Sequence, residues 1–387
     1  MNYSFPLIET LDDVLPHIKD WEEFRVTEKE NYVVVNYMVG LENTFSEISS
    51  SWGHSMAVRR ECRGLIFDKD SKRIVSRPYH KFFNVNEREE TDVKNIDWAK
   101  PHHILEKLDG SMIRPIPTEL GFRLATKAGI TDVAMNAEAF IASIPAYSTF
   151  IDMLVESGFT PIFEWCSRQN RIVVDYPVDS LILTGVRGNI TGHYLPYNDL
   201  VGLANKYSIP VVRAIEFGSG KNFIETVRAW DDGEGVVVRF EDGHMTKIKA
   251  DAYVLLHKSK EAVSHEKNVI EVVVNDKVDD LLPILSESDH KRLVDFQEKF
   301  WRMVGVVAEF LENDYNEGRH ISDQKTFARE FVSSRPKKFH GFLYHARKGG
   351  NVKDMLIKKI SSSLSSRTKV EEARWMWGGL EWNEPVS

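Results

Sequence analysis

Apolar residues recur with two different periods along the chain, and the change falls near residue 255. Before it, short β-rich runs dominate: Tyr32–Tyr37, Gly64–Asp68, Ile74–Pro78, Gly121–Ala125, Arg171–Val174 and Leu181–Gly185 each read as strands. Gly235–Phe240 and Thr246–Lys249 flank Glu241-Asp242-Gly243 and predict a hairpin. Ala134–Leu154 and Asp199–Tyr207 read as helices. Beyond 255, Leu293, Phe296, Phe300, Met303, Val307, Phe310 and Leu311 return at spacings of three and four. That spacing predicts an amphipathic helix, with Ser288 as its N-cap. Gln324–Phe331 and Val352–Ile360 continue the helical pattern, and serine-rich Ser361–Ser366 predicts a loop. The expected organisation is an α+β domain over residues 1–255 followed by a smaller all-α domain over 256–387.

A chain of 387 residues has room for two such domains and a sizeable core. Its net charge of -8 excludes a binder that works through bulk positive charge. It does not exclude an enzyme with a local basic groove, because the field depends on distribution. The two cysteines, Cys62 and Cys166, sit in strand-like runs with no CxxC or Cys/His cluster, which points to a reducing compartment and no structural zinc. No apolar run is long enough to span a membrane, and the N-terminus lacks a signal-peptide pattern. The expectation is a soluble, cytoplasmic monomer.

The chemistry is concentrated in four segments. Lys107-Leu108-Asp109-Gly110-Ser111 reads as a nucleophilic lysine at a tight turn. Downstream follow Phe163-Glu164-Trp165, then Asp232-Gly233-Glu234-Gly235 running into Val236-Val237-Val238, then Lys247-Ile248-Lys249. Their order and separations resemble those of enzymes that carry a nucleotide on their own lysine. A lysine at its ordinary pKa is protonated and must lose that proton to attack phosphorus. Lys247 and Lys249, two apart on a strand, share a face, where they can depress the pKa of Lys107 and bind triphosphate oxygens. Glu164 and Glu234 are carboxylates embedded in apolar strand residues, an unusual place unless they are paired or liganded. The functional reading gives Glu164 ribose hydroxyls and Glu234 a metal ion. Each signal has a plainer reading by itself: an exposed hairpin face for Lys-Ile-Lys, an edge strand for each glutamate. Arg63, Arg77 and Lys81 bracket short strands as candidate phosphate contacts, and Phe83 as a ring for a base. Read without context they are a core aromatic and surface charges. Arg335 to Lys369 is a basic stretch with interleaved aromatics, read equally as a phosphate-backbone surface or a solvated helical face.

Taken together, the chain resembles the bacteriophage RNA ligase 1 family, within the covalent nucleotidyltransferase superfamily. The stretches that carry the resemblance are Glu61–Phe67, Ser76–Glu87 around Lys81-Phe82-Phe83-Asn84, Lys107–Ser111, Phe163-Glu164, Asn170–Val174, Glu234-Gly235, and Lys247–Lys249 on to Tyr253 and His257. The resemblance implies a nucleotidyltransferase domain of ATP-grasp-like antiparallel sheets with helices, and a helical C-terminal domain that tunes RNA specificity. It implies an ATP-dependent RNA ligase using Mg²⁺ or Mn²⁺, acting on single-stranded ends or cleaved tRNA. Residue by residue it implies Lys107 as nucleophile, Glu164 on the ribose, and Arg63, Lys81, Lys247 and Lys249 on phosphates. Lys127 matches a further lysine of the site, and Tyr37 a tyrosine that contacts ATP. Tyr253 matches a tyrosine needed late in the reaction, and Asp279 a metal-associated aspartate. The rivals are a GTP-using capping guanylyltransferase and a homologue that binds nucleotide or RNA without catalysis.

Overall fold

The computed structural model describes residues 5–40, 44–45, 53–217 and 222–382. It divides into two compact units, the first up to Val254 and the second from Leu255. Among the described residues the first unit contains three four-stranded sheets. β1 (Phe24–Glu28), β2 (Tyr32–Tyr37), β3 (Arg63–Asp68) and β4 (Ile74–Ser76) form one in that order. β5 (Phe83–Asn84), β6 (His102–Glu106), β7 (Ser111–Thr118), β8 (Gly121–Ala125), β9 (Phe159–Cys166), β10 (Ser180–Gly188), β11 (Gly235–Phe240) and β12 (Met245–Lys249) supply the others, ordered β10-β9-β7-β8 and β5-β12-β11-β6. Pairing is antiparallel except between β5 and β12.

The β-branched runs form strands because their residues pack on both faces: Val33, Val35, Leu65 and Phe67 are buried in one cluster, Val34 and Ile66 in another. The hairpin is as expected, with Arg239 opposite Met245 and Gly235 opposite Lys249. Arg171–Val174 is not a strand. Its Val173 and Val174 N–H groups donate to the Asp109 carboxylate instead of to a neighbouring strand (2.7 and 2.6 Å). Ala134–Leu154 is two helices, Asp132–Ile141 and Pro145–Glu156, bent by 115°. Pro145 opens the second because it lacks the N–H a continuing helix needs. Both helices pack into a cluster around Phe150, Phe163 and Leu183. No single helix among the described residues is long and apolar enough to cross a membrane. Cys62 ends a turn after the helix Gly53–Glu61 rather than lying within a strand, and both cysteines are free and buried.

The second unit is helical. Glu287–Gly318 is its longest element, capped by Ser286 rather than Ser288, with the Ser286 hydroxyl accepting from the Asp289 N–H (3.2 Å). Its buried stripe of Leu293, Phe296, Phe300, Val304 and Leu311 meets Leu356, Ile360 and Trp377. Ser361–Ser363 complete the helix Val352–Ser363, and Ser366 caps Arg367–Ala373, so little of the serine-rich run is loop.

Candidate active site

Lys107 directly follows β6, and its N–H donates to the carbonyl of Gly235 (2.9 Å), which ties the lysine to β11. The turn after it lies so close to β9 that a side chain at Gly110 would strike the Trp165 carbonyl and come within 3.1 Å of Glu164 Cγ. Asp109 is the anchor of that turn. Buried, its carboxylate accepts from Val173, Val174 and the Tyr253 hydroxyl (2.6 Å), and its own N–H donates to Tyr176 Oη (2.9 Å). Asn170 Nδ2 donates to Ser111 Oγ (2.8 Å) and holds the far end.

The charged centre is Glu234, which is 4% exposed and accepts from two lysines at once. Its Oε2 is 2.6 Å from Lys107 Nζ and its Oε1 2.8 Å from Lys249 Nζ. This departs from the expectation that two cations alone confront the nucleophile: Lys249 reaches Lys107 through a shared carboxylate. Lys247, opposite Val237 on the same hairpin, is pushed down to about 7 by burial and by Lys81, Lys107, Arg63 and Lys249. Glu164, on β9 opposite Met112, is pushed up to about 7. Burial is the main cause and Glu234 adds to it, while Lys107 and Arg63 oppose the shift.

Beside this centre a second group of cations gathers on a tyrosine. Lys127 Nζ lies 4.7 Å and Lys81 Nζ 5.9 Å from the centroid of the Tyr37 ring. Burial pushes the Tyr37 hydroxyl up, but Arg63, Lys81 and Lys127 together outweigh it and hold the hydroxyl below its usual range. Tyr37, Arg63, Lys81, Lys107, Lys127, Glu164, Glu234, Lys247 and Lys249 therefore form one continuous electrostatic site.

Four further candidates take these places. Phe83 is 1% exposed, packed under Lys81 and against Phe45, so its ring is core rather than a platform for a base. Tyr253 is buried, its hydroxyl donating to Asp109 and its ring 5.0 Å from Lys249 Nζ, so it supports the nucleophile's turn and packs beside the lysine. Arg77 is fully buried, its guanidinium on Glu61 and the carbonyls of Pro6, Asn189 and Ile190. Arg187 completes that pair, holding Glu61 down at about 2. Asp279 is exposed on the short helix Val278–Leu281 of the second unit, and its metal role rests on the resemblance alone. In the basic stretch, Arg335 is held by Asp314 and Glu317, and Arg347 by the carbonyls of Ile321 and Ser322.

The family model for RNA ligase matches residues 61–263, which span the whole of this constellation from Arg63 to Tyr253 except Tyr37. The chain belongs to the RNA ligase family. A protein of Thermovibrio ammonificans assigned as an RNA ligase is 29% identical over 303 residues, covering 73% of this chain and 75% of that one. RNA ligase 1 of bacteriophage TS2126 is 25% identical over 194 residues. There the match covers 48% of this chain and 47% of the phage protein, so the chain spans about half that relative's length. An archaeal ATP-dependent RNA ligase structure aligns over 87% of this chain and 95% of its own, at 14% identity and a TM-score of 0.45. Within this RNA ligase family member, the residues that sequence left unassigned are Tyr176 and Asn170, with Asp109 lacking its role as a hub. The pentad and the run after Asn170 mark the positions, but nothing along the chain shows that they meet.

Proposed function

We infer that the chain is an ATP-dependent RNA ligase joining a 3′-hydroxyl to a 5′-phosphate, with Lys107 as the nucleotide carrier. The observation that supports this most is Lys107 and Lys249 sharing Glu234, with Glu164 and Lys247 alongside. Lys107 Nζ attacks the α-phosphorus of ATP: the P–N bond forms, the bond to the β-phosphate oxygen breaks, and pyrophosphate leaves. Glu234, 2.6 Å from Nζ, is placed to accept the proton that must go. Lys247 and Lys249 bear on the charge that develops at the phosphate, and Arg63, Lys81 and Lys127 on the outgoing phosphates. Glu164 receives the ribose hydroxyls. The AMP then moves to the 5′-phosphate of RNA, and a 3′-hydroxyl displaces it. The buried carboxylate of Glu234 fits a Mg²⁺ or Mn²⁺ that keeps phosphate oxygens and water as most of its ligands; among the described residues no group of three His, Cys, Asp or Glu side chains could hold the ion alone. When bound, such an ion neutralises phosphate charge. Domain roles follow: the first unit carries nucleotide transfer and the second RNA choice, in RNA repair in the cytoplasm.

The test is incubation with α-labelled ATP and Mg²⁺ followed by denaturing electrophoresis, beside Lys107→Ala. A label on wild type that is absent from the variant supports the reading, and transfer to 5′-phosphorylated RNA completes it. Labelling by GTP instead of ATP points to capping chemistry. A folded protein, not adenylylated as purified, that takes no label from either is a binding homologue.

A further inference from the structure

β7 carries a buried charge that the chemistry above leaves unused. Arg114 lies on that strand opposite Ala125 of β8 and is wholly buried. Its Nη1 donates to the Thr126 carbonyl (3.2 Å) and its Nη2 to the Gly64 carbonyl. Nε is buried too and has no acceptor among the described residues. The groups that bear on its charge are the Tyr32 hydroxyl and Arg63, with no carboxylate among them. Burial, and after it Arg63, pushes the guanidinium down to about 9 against the pull of Tyr32, so it is still a cation at neutral pH. A buried cation without an anion is costly. Two backbone carbonyls call for two donors, not for a charge.

The two carbonyls belong to segments that both lead into the nucleotide site. Gly64 follows Arg63 at the start of β3, and Thr126 precedes Lys127 just after β8. The segments are in contact. Gly64 has φ +100°, and a Cβ there would lie 2.7 Å from the Lys127 carbonyl oxygen and 3.0 Å from Arg114 Nη2. From this junction Arg63 Nη1 reaches Met112 Sδ (3.7 Å), and Lys127 sets its Nζ 4.7 Å from the centroid of the Tyr37 ring. Both cations bear on the Tyr37 hydroxyl, together with Lys81. Like charges gathered on one ring repel, and repulsion between Arg63 and Lys127 acts to part their two segments. A planar fork that donates to both backbones at once opposes that parting, which a single ammonium group cannot do in fixed geometry.

We propose that Arg114 is a positioning residue for the outgoing phosphates of ATP: its fork ties Gly64 to Thr126 and so fixes where Arg63 and Lys127 stand. It touches no substrate itself. The cost of its burial is met inside the fold, and the return appears as affinity for polyphosphate. The proposal rests on the ATP-dependent RNA ligase reading above.

The experiment compares wild type with Arg114→Lys, which keeps the charge and removes the fork. Initial rates of lysyl-AMP formation are measured over a range of ATP concentrations, and preformed lysyl-AMP is discharged with pyrophosphate. Arg114→Lys is expected to raise KM for ATP about tenfold with kcat within about threefold of wild type, the pattern of lost ground-state binding. The pyrophosphate needed for half discharge should rise by a similar factor. A merely structural loss lowers the active fraction, and with it kcat, and leaves KM alone. In the Arg63→Ala, Lys127→Ala background, Arg114→Lys is expected to change KM by less than about twofold, because the groups it positions are gone. An unchanged KM in Arg114→Lys, or its full effect in the double-alanine background, overturns the proposal. Arg114→Gln, which keeps two donors without the charge, takes its place if Arg114→Lys does not fold, and the same rise in KM is expected. If neither folds, Arg114 serves the fold alone and the proposal is overturned. Wild type that takes no label from ATP is a different failure, that of the ligase reading.

Discussion

Glu234 is the residue on which the proposed chemistry turns, because a single buried carboxylate orients two ammonium groups. Glu234→Gln keeps the shape but leaves both lysines without an anion. Formation of lysyl-AMP is expected to slow by at least about a hundredfold, the order seen when a preorganised charge is removed, with an unchanged circular dichroism spectrum. A rapid-quench time course with labelled ATP measures it. Glu164 and Lys247 make a second prediction at this scale, since both are held near 7 from opposite sides. Glu164 is raised in the fold from 4.5, so its contribution to stability is complete below about 4.5 and is lost as pH climbs through about 7. Lys247 is lowered from 10.5, so its contribution is complete above about 10.5 and is lost as pH falls through about 7. The two together predict a dip in stability near neutral pH. Urea unfolding across that range should show the acid-side arm of the dip flattened by Glu164→Gln and the alkaline-side arm by Lys247→Met. A profile unchanged by either variant would rule out this account. Triphosphate, by giving Lys247 an anion, should fill the dip.

Among the elements, the β11–β12 hairpin and the turn after Lys107 were visible from residue types alone, because Asp-Gly turns and β-branched alternation are local signals. What they rest against was not. Gly235 adopts φ +136°, and any side chain there would strike the Ile248 carbonyl across the hairpin. Gly235→Ala is expected to cost more than about 2 kcal/mol, combining backbone strain with that clash, and a denaturant melt reads it directly. Arg171–Val174 shows the reverse failure. Its composition is that of a strand, yet its N–H groups are satisfied by Asp109, from 64 residues away in sequence. The cluster of Glu61 with Arg77 and Arg187 is a further case. Arg77 looks like a phosphate contact in sequence, but nothing local reveals that it is walled in beside a carboxylate. Glu61→Ala leaves two buried guanidinium groups with no anion and is expected to destabilise by about 3–5 kcal/mol. Because Glu61 is held at about 2 against a usual 4.5, its contribution is complete above about 4.5 and fades only as pH falls through about 2.

At the scale of the whole molecule, each unit is built on cores of its own: clusters centred on Phe163, Phe67 and Val236 in the first, and the Phe300–Trp377 cluster in the second. A chain ending after the helix Asp251–Ser264 is therefore expected to fold and to take AMP from ATP. If the second unit chooses RNA, sealing by that chain should fall by more than about tenfold while labelling persists, and the two assays run side by side decide it. The order of the motifs, the change of period near residue 255 and the residue types of the nucleophile and its companions were all present in the sequence. They depend on local periodicity and on the chemistry of side chains taken one at a time. The tertiary structure alone decided which of those side chains work together. Glu234 became the link between two lysines, Asp109 the anchor of the nucleophile's turn, and Phe83 and Arg77 parts of the interior. Burial and pairing across long stretches of chain set these roles, and both are properties of the packed molecule rather than of any segment within it.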